Sequence, residues 1–208
     1  MTTAIGYCPT LKFLAREIEL PHFQCGDLLG FSGYNAGSAA INLVTLGVPF
    51  WSLSHVAIVG QYRNRKVLFE STTLNDQPCL ITGRKIKGVQ CHAIRSRIED
   101  YSGAVWHYPL TRPLFEHELV RLQEFLNSKV GLPYNEIGAV RVGGIILPII
   151  ENYLSEESRS SLFCSELCAA AYNRIGVFPT AYCGRWSPNH LSRAMIRIGL
   201  LHPPARLK

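Results

Sequence analysis

Strand-like and helix-like segments are segregated along this chain, and that segregation limits the available folds more than any other feature. Asp27–Phe31, His55–Tyr62, Lys66–Ser71 and Val105–Leu110 are short β-branched or aromatic runs bounded by Gly, Pro or Asn, the pattern of strands. Gln61-Tyr62-Arg63-Asn64-Arg65 reads as a hairpin tip. Between the first two strands, Ser38–Leu46 has the spacing of a short helix, stopped by Gly47 and Pro49. Helical periodicity dominates later. Phe115–Lys129 carries Leu119, Leu122, Phe125, Leu126 and Val130 at three- and four-residue intervals, ending at Gly131 and Pro133. A helix is expected over Cys164–Ile175 with Gly176 as its stop, and another over Asn189–Arg197, capped by Ser187 and opened by Pro188. Strands first and helices later favour an α+β domain with an antiparallel sheet over a doubly wound one.

A chain of 208 residues with 47% hydrophobic content fits one domain spanning 1–208, its core about 26–197, and excludes extensive disorder. Charged residues make up 17%, below the roughly 25% usual for soluble domains, which implies a well-filled core. No repeat or low-complexity stretch interrupts it. The net charge of +6 is scattered over short groups such as Arg63–Lys66, Arg84–Lys87 and Arg193–Arg197 with no aromatic-interleaved basic motif, so no obligate nucleic-acid partner is expected. The first twenty residues hold Lys12, Arg16, Glu17 and Glu19 and no signal-like apolar run. The most apolar window, Ile137–Ile150, is broken by Arg141, Gly143, Gly144 and Pro148 and is too short for a span. A soluble, cytoplasmic protein with no transmembrane segment is the expectation. The seven cysteines are odd in number and include no C-x-x-C pair, which fits a reducing compartment with at least one free thiol.

Cys164 is the thiol best placed for chemistry. With Ser155–Ser161 read as a loop, it falls at a helix start, where unpaired N–H groups and the helix dipole favour a thiolate. A nucleophilic cysteine needs an imidazole, and the imidazole needs an acceptor on its far nitrogen. His55 opens the strand Ser54-His55-Val56-Ala57-Ile58, and Glu70 lies in Leu68-Phe69-Glu70-Ser71. A hairpin tip near Arg63 and Asn64 would return these two side chains to neighbouring positions.

Gly26-Asp27-Leu28-Leu29, Ser54-His55-Val56-Ala57-Ile58, Phe69-Glu70-Ser71 and Phe163-Cys164-Ser165-Glu166-Leu167, in that order, resemble the YiiX/YaeF-type branch of the permuted papain-like cysteine hydrolases of the NlpC superfamily. Histidine before cysteine is the informative part, since ordinary papain-like enzymes have the reverse order. The resemblance runs from about Gly26 to Leu191. It implies a circularly permuted papain-like (NlpC-type) fold, an antiparallel sheet packed against helices with the nucleophile at a helix N-terminus. By the same resemblance Cys164 is the nucleophile, His55 the general base and later acid, and Glu70 the orienting residue. The Cys164 N–H would supply part of the oxyanion hole. The family's G-x-P-Y-D segment reads Gly131-Leu132-Pro133-Tyr134-Asn135 here, so Tyr134 is a cleft candidate and Asn135 departs from the usual aspartate. Ser165 and Asp27 complete the substrate-binding candidates, although a turn-capping role is the stronger reading of Asp27. Glu166 is rotated about 200° from Cys164 on a helix and fits a charge pair or a first-turn dipole partner. Cys168 shares a helix face with Cys164, but no second pair at ligand spacing exists, so neither a metal nor a cofactor is expected.

The expected activity is thiol-dependent hydrolysis of an amide or ester through an acyl-enzyme, on a small peptide, cell-wall-derived or lipid-linked substrate. The alternatives are acyl transfer of the lecithin-retinol-acyltransferase-like kind, whose N-C-E-H motif differs from F-C-S-E-L, and a noncatalytic binding or virion protein retaining the fold.

Overall fold

The computed structural model describes residues 20–33, 53–73, 75–133, 156–181 and 183–208. The sequence-predicted helix Ser38–Leu46, the apolar window Ile137–Ile150 and the candidates Tyr134 and Asn135 lie outside them. The described residues form a mixed α+β structure built on one six-stranded sheet with antiparallel pairing between all neighbours. In chain order the elements are β1 (Leu28–Ser32), β2 (His55–Tyr62), β3 (Arg65–Thr72), β4 (Gly88–Ala93), α1 (Ile94–Asp100), β5 (Ala104–Tyr108), α2 (Glu116–Lys129), α3 (Glu156–Arg174), α4 (Pro188–Arg197) and β6 (Ala205–Arg206). Across the sheet the strands run β4-β3-β2-β1-β5-β6.

The hairpin of β2 and β3 turns at Arg63 and Asn64, whose φ values of 47° and 62° are the paired left-handed conformations of a type I′ turn. This turn sets the register Tyr62–Arg65 through Ile58–Phe69. The first six residues of β2 are buried on both faces of the strand, which accounts for its nearly unbroken apolar run.

Two apolar layers cover the sheet. On one face Leu28, Val56, Ile58, Val67, Phe69 and Cys91 pack against Cys164, Cys168 and Tyr172 of α3, Leu122 and Leu126 of α2, and Leu191 and Met195 of α4. On the other, Leu29, Phe31, Ala57, Val59, Leu68 and Val105 pack against Ile94 and Ile98 of α1. Gly60 lets α2 approach, since a Cβ there would fall 2.7 Å from the Phe69 ring and 2.9 Å from Leu126. Ser187 caps α4 by accepting from the His190 N–H, with Pro188 in the first turn, as the sequence predicts. Asn189 then accepts the Leu53 N–H at 2.7 Å and donates to the Leu53 carbonyl at 3.2 Å, holding the chain that enters β2 at His55.

Helix α3 departs from expectation. It begins at Glu156, so Cys164 is its ninth residue. Glu156-Glu157-Ser158-Arg159-Ser160-Ser161 contains no Gly or Pro to stop a helix, and two acidic residues in a first turn complement the dipole. The polar composition that reads as a loop is a polar beginning of the helix.

Candidate active site

His55, the first residue of β2, places its imidazole between a carboxylate and a thiol. Its Nε2 lies 2.7 Å from Glu70 Oε2. With Nε2 taken by Glu70, Nδ1 is the nitrogen left for sulfur, and Cys164 is near enough to help raise the ring's pKa. The Cys164 sulfur also accepts the Val56 N–H at 3.4 Å. The register that pairs Ile58 with Phe69 sets Glu70 level with Ala57, so His55 and Glu70 meet diagonally across the hairpin. Glu70 belongs to the face covered by α1 and Cys164 to the helix on the opposite face. His55, at the strand's end, touches both.

Glu70 is fully buried and carries more partners than the sequence indicated. Arg97 of α1 donates from Nε to Oε1 at 2.7 Å and from Nη2 to Oε2 at 3.1 Å, a bidentate pair. His92 Nδ1 of β4 lies 3.0 Å from Oε1, and Asn75 Nδ2 donates to the same oxygen at 3.2 Å. Arg97 is itself held with its guanidinium over the Phe31 ring, 4.9 Å from the centroid, and over Tyr101 at 5.4 Å. Burial alone would raise the Glu70 carboxyl, but Arg97, then His55 and His92, hold it well below the usual carboxylate range. Burial likewise opposes a charged His55, yet Cys164 and Glu70 outweigh it and raise the ring to about 9. The imidazole is therefore protonated at neutral pH.

The helix register corrects two expectations. At the ninth position of α3 the Cys164 N–H lies in the helix interior, where amides bond to the carbonyl four residues back. It cannot donate to an oxyanion, and the end of the dipole is two turns away. Glu166, buried and in the same interior stretch, is not a first-turn dipole partner either.

Two substrate-binding candidates have other work. Ser165 donates its hydroxyl to the Trp186 carbonyl, tying α3 to the segment before α4. Asp27 is 1% exposed, with Oδ2 accepting from the Gln24 N–H at 2.9 Å and facing His107 Nε2 at 2.8 Å, while Oδ1 accepts from the Leu110 N–H at 2.9 Å. It lies at the Leu28 end of β1, whereas His55 pairs with Phe31 at the other end, roughly 13 Å away at 3.3 Å per residue. Asp27 caps its turn and is not part of the cleft.

The remaining described cysteines are free, and among them only Cys183 is not buried. Burial pushes Cys91 up to about 12 and Cys168 well above the ordinary thiol range, which makes both inert at neutral pH. Among the described residues no group of three or more His, Cys, Asp or Glu side chains is arranged to hold a metal ion, and no helix is long and apolar enough to cross a membrane. Sequence reasoning named His55, Glu70 and Cys164, which the structure brings near one another, and did not name Arg97, His92 or Asn75. The available signal was electrostatic: a carboxylate inside an apolar strand requires a cation, and Ile94 and Ile98 bracket Arg97 on an inward-facing turn.

No protein-family model matches the chain, and no curated protein matches it. Among solved structures it is similar to the crystal structure of metalloprotein yiiX from Escherichia coli O157:H7, with 16% identity, a TM-score of 0.48, and coverage of 74% of this chain and 67% of that one. At that distance the likeness assigns no role to any residue here.

Proposed function

We propose that the protein is a thiol-dependent hydrolase with a permuted papain-like arrangement, using Cys164, His55 and Glu70. The supporting observation is geometric: the buried Glu70 carboxylate holds His55 Nε2 at 2.7 Å, and the Cys164 sulfur accepts the N–H of the next residue, Val56, at 3.4 Å. A protonated ring beside sulfur is the setting a thiolate nucleophile requires. In the forward step the sulfur bonds to the substrate's carbonyl carbon and the imidazolium passes its proton to the departing amine or alcohol. The neutral ring then takes a proton from water, whose hydroxide displaces the sulfur and releases the acid. Glu70 stays ionised throughout, because Arg97 balances its charge while His55 cycles.

The substrate class that fits the resemblance is an amide or ester of a short peptide, a cell-wall fragment or a lipid-linked acyl group. Exposure to mixtures of peptide amides and acyl-lipid esters, followed by acid quench and intact-mass analysis, should trap an acyl group on Cys164 and identify its class. Cys164 should also alkylate with iodoacetamide far faster than the other thiols at about pH 6–7, and His55→Ala should slow it. Uniform reactivity of all the thiols would overturn the reading.

A further inference from the structure

Among the described residues, three buried side-chain atoms lack a hydrogen-bond partner: Ser71 Oγ, Thr73 Oγ1 and Gln90 Oε1. The first of these bears on the thiol. Ser71 is wholly buried and stands two residues beyond Phe69, so it shares the sheet face that α3 covers. Carried two steps past the Ile58–Phe69 pair, the register of the hairpin sets Ser71 level with Val56, the residue whose N–H touches the Cys164 sulfur. On the other side Ser71 pairs with Val89, which packs against Leu167, one turn after Cys164 on α3. Ser71 is thus flanked, at strand spacings of about 4.8 Å, by the two residues that contact α3 at and just after the thiol. An unpartnered hydroxyl in such a place is unfavourable unless something supplies an acceptor.

We infer that the Ser71 hydroxyl donates to the acyl oxygen of a substrate bound at Cys164, with Thr73 next along the same face. The inference rests on the hydrolase reading and supplies a donor that the interior position of Cys164 in α3 denies to its own N–H. As sulfur bonds to the carbonyl carbon, the C=O π pair moves onto oxygen and Ser71 stabilises that charge. When the pair returns, the bond to the leaving group breaks and the leaving group takes the proton held by His55.

The test compares two reactions of one thiol. Alkylation by iodoacetamide displaces iodide and creates no oxyanion, whereas acylation by p-nitrophenyl acetate does. With acetylation mapped to Cys164 by peptide mass, Ser71→Ala should slow it roughly 100-fold or more. Its iodoacetamide rate and melting temperature should stay at or above the parent's, because a hydroxyl without a partner has no bond to lose. Thr73→Ala should slow acetylation less. Equal acetylation rates in Ser71→Ala and the parent would overturn the inference and leave the hydrolase reading intact. Loss of folding in Ser71→Ala, or equal slowing of both reactions, would overturn it too by showing a structural role. Failure of the parent itself to acetylate at Cys164 would overturn both.

Discussion

Two buried carboxylates, Glu70 and Asp27, each face a histidine ring at hydrogen-bonding distance, 2.7 Å for His55 and 2.8 Å for His107. Their remaining partners differ in kind. Backbone N–H groups of Gln24 and Leu110 satisfy Asp27, and His107 turns an edge toward Phe23. A guanidinium satisfies Glu70, and its histidine meets a thiol. The difference teaches that a carboxylate–imidazole pair is not in itself a catalytic feature. Fixed amides make Asp27 a cap, while a buried cation and a histidine near a thiol give the Glu70 cluster a different character.

The largest test of that contrast removes the cation. Arg97→Met should cost about 3–5 kcal/mol in urea unfolding by stranding a buried carboxylate. Asp27→Asn should cost about 1–3 kcal/mol, because only one hydrogen-bonding donor is left facing another. Comparable losses would erase the distinction.

Next comes pH. The folded pKa of His55 is raised above its unfolded value, so its contribution is fully present below about pH 6.5 and is lost as pH rises through about 9. Unfolding free energies measured across that window should fall by roughly 3 kcal/mol in the parent and much less in His55→Ala. Glu70 has the opposite sign: its depressed pKa contributes stability above the unfolded carboxylate range that disappears as pH falls below it. A smaller effect follows from Glu70→Gln, which should lower the NMR-titrated His55 pKa by about one pH unit. The smallest concerns the helix carrying Arg97. Lys208 Nζ donates to the Glu99 carbonyl at 2.7 Å and to those of Ile98 and Tyr101, closing the end of α1. Lys208→Ala should cost about 1 kcal/mol by calorimetry, whereas the Asp27 turn is braced by the Tyr172 hydroxyl, which donates to the Gly26 carbonyl at 2.6 Å.

The hairpin, β1, β5, α2 and α4 were legible because their signals are local: short apolar runs bounded by turn residues, a polar hairpin tip at Arg63 and Asn64, helical spacing, a Ser-Pro cap. His55 and Glu70 were legible for the same reason, since one turn determines their register. Strand β4 was not, because the run is only six residues long and only Val89 and Cys91 mark its apolar face. Helix α1, at seven residues, is too short for periodicity to show, and with it Arg97 was lost. The start of α3 was misplaced because solvation and helix propensity leave the same polar residues in a loop and in the first turn of a helix. That error carried the oxyanion donor with it.

The placement of Glu70 and Cys164 on opposite faces of the sheet has a kinetic consequence. His55, Glu70, His92 and Arg97 fall within one contiguous stretch, with Glu70 only 15 residues from His55 and 27 from Arg97. The sulfur reaches Val56 by closing a loop of 108 residues. Loop-closure entropy makes the long contact the slower one to form, so during refolding the charged cluster precedes the thiol. Pulsed alkylation would then see Cys168, buried on the same helix as Cys164, among the last thiols to become protected.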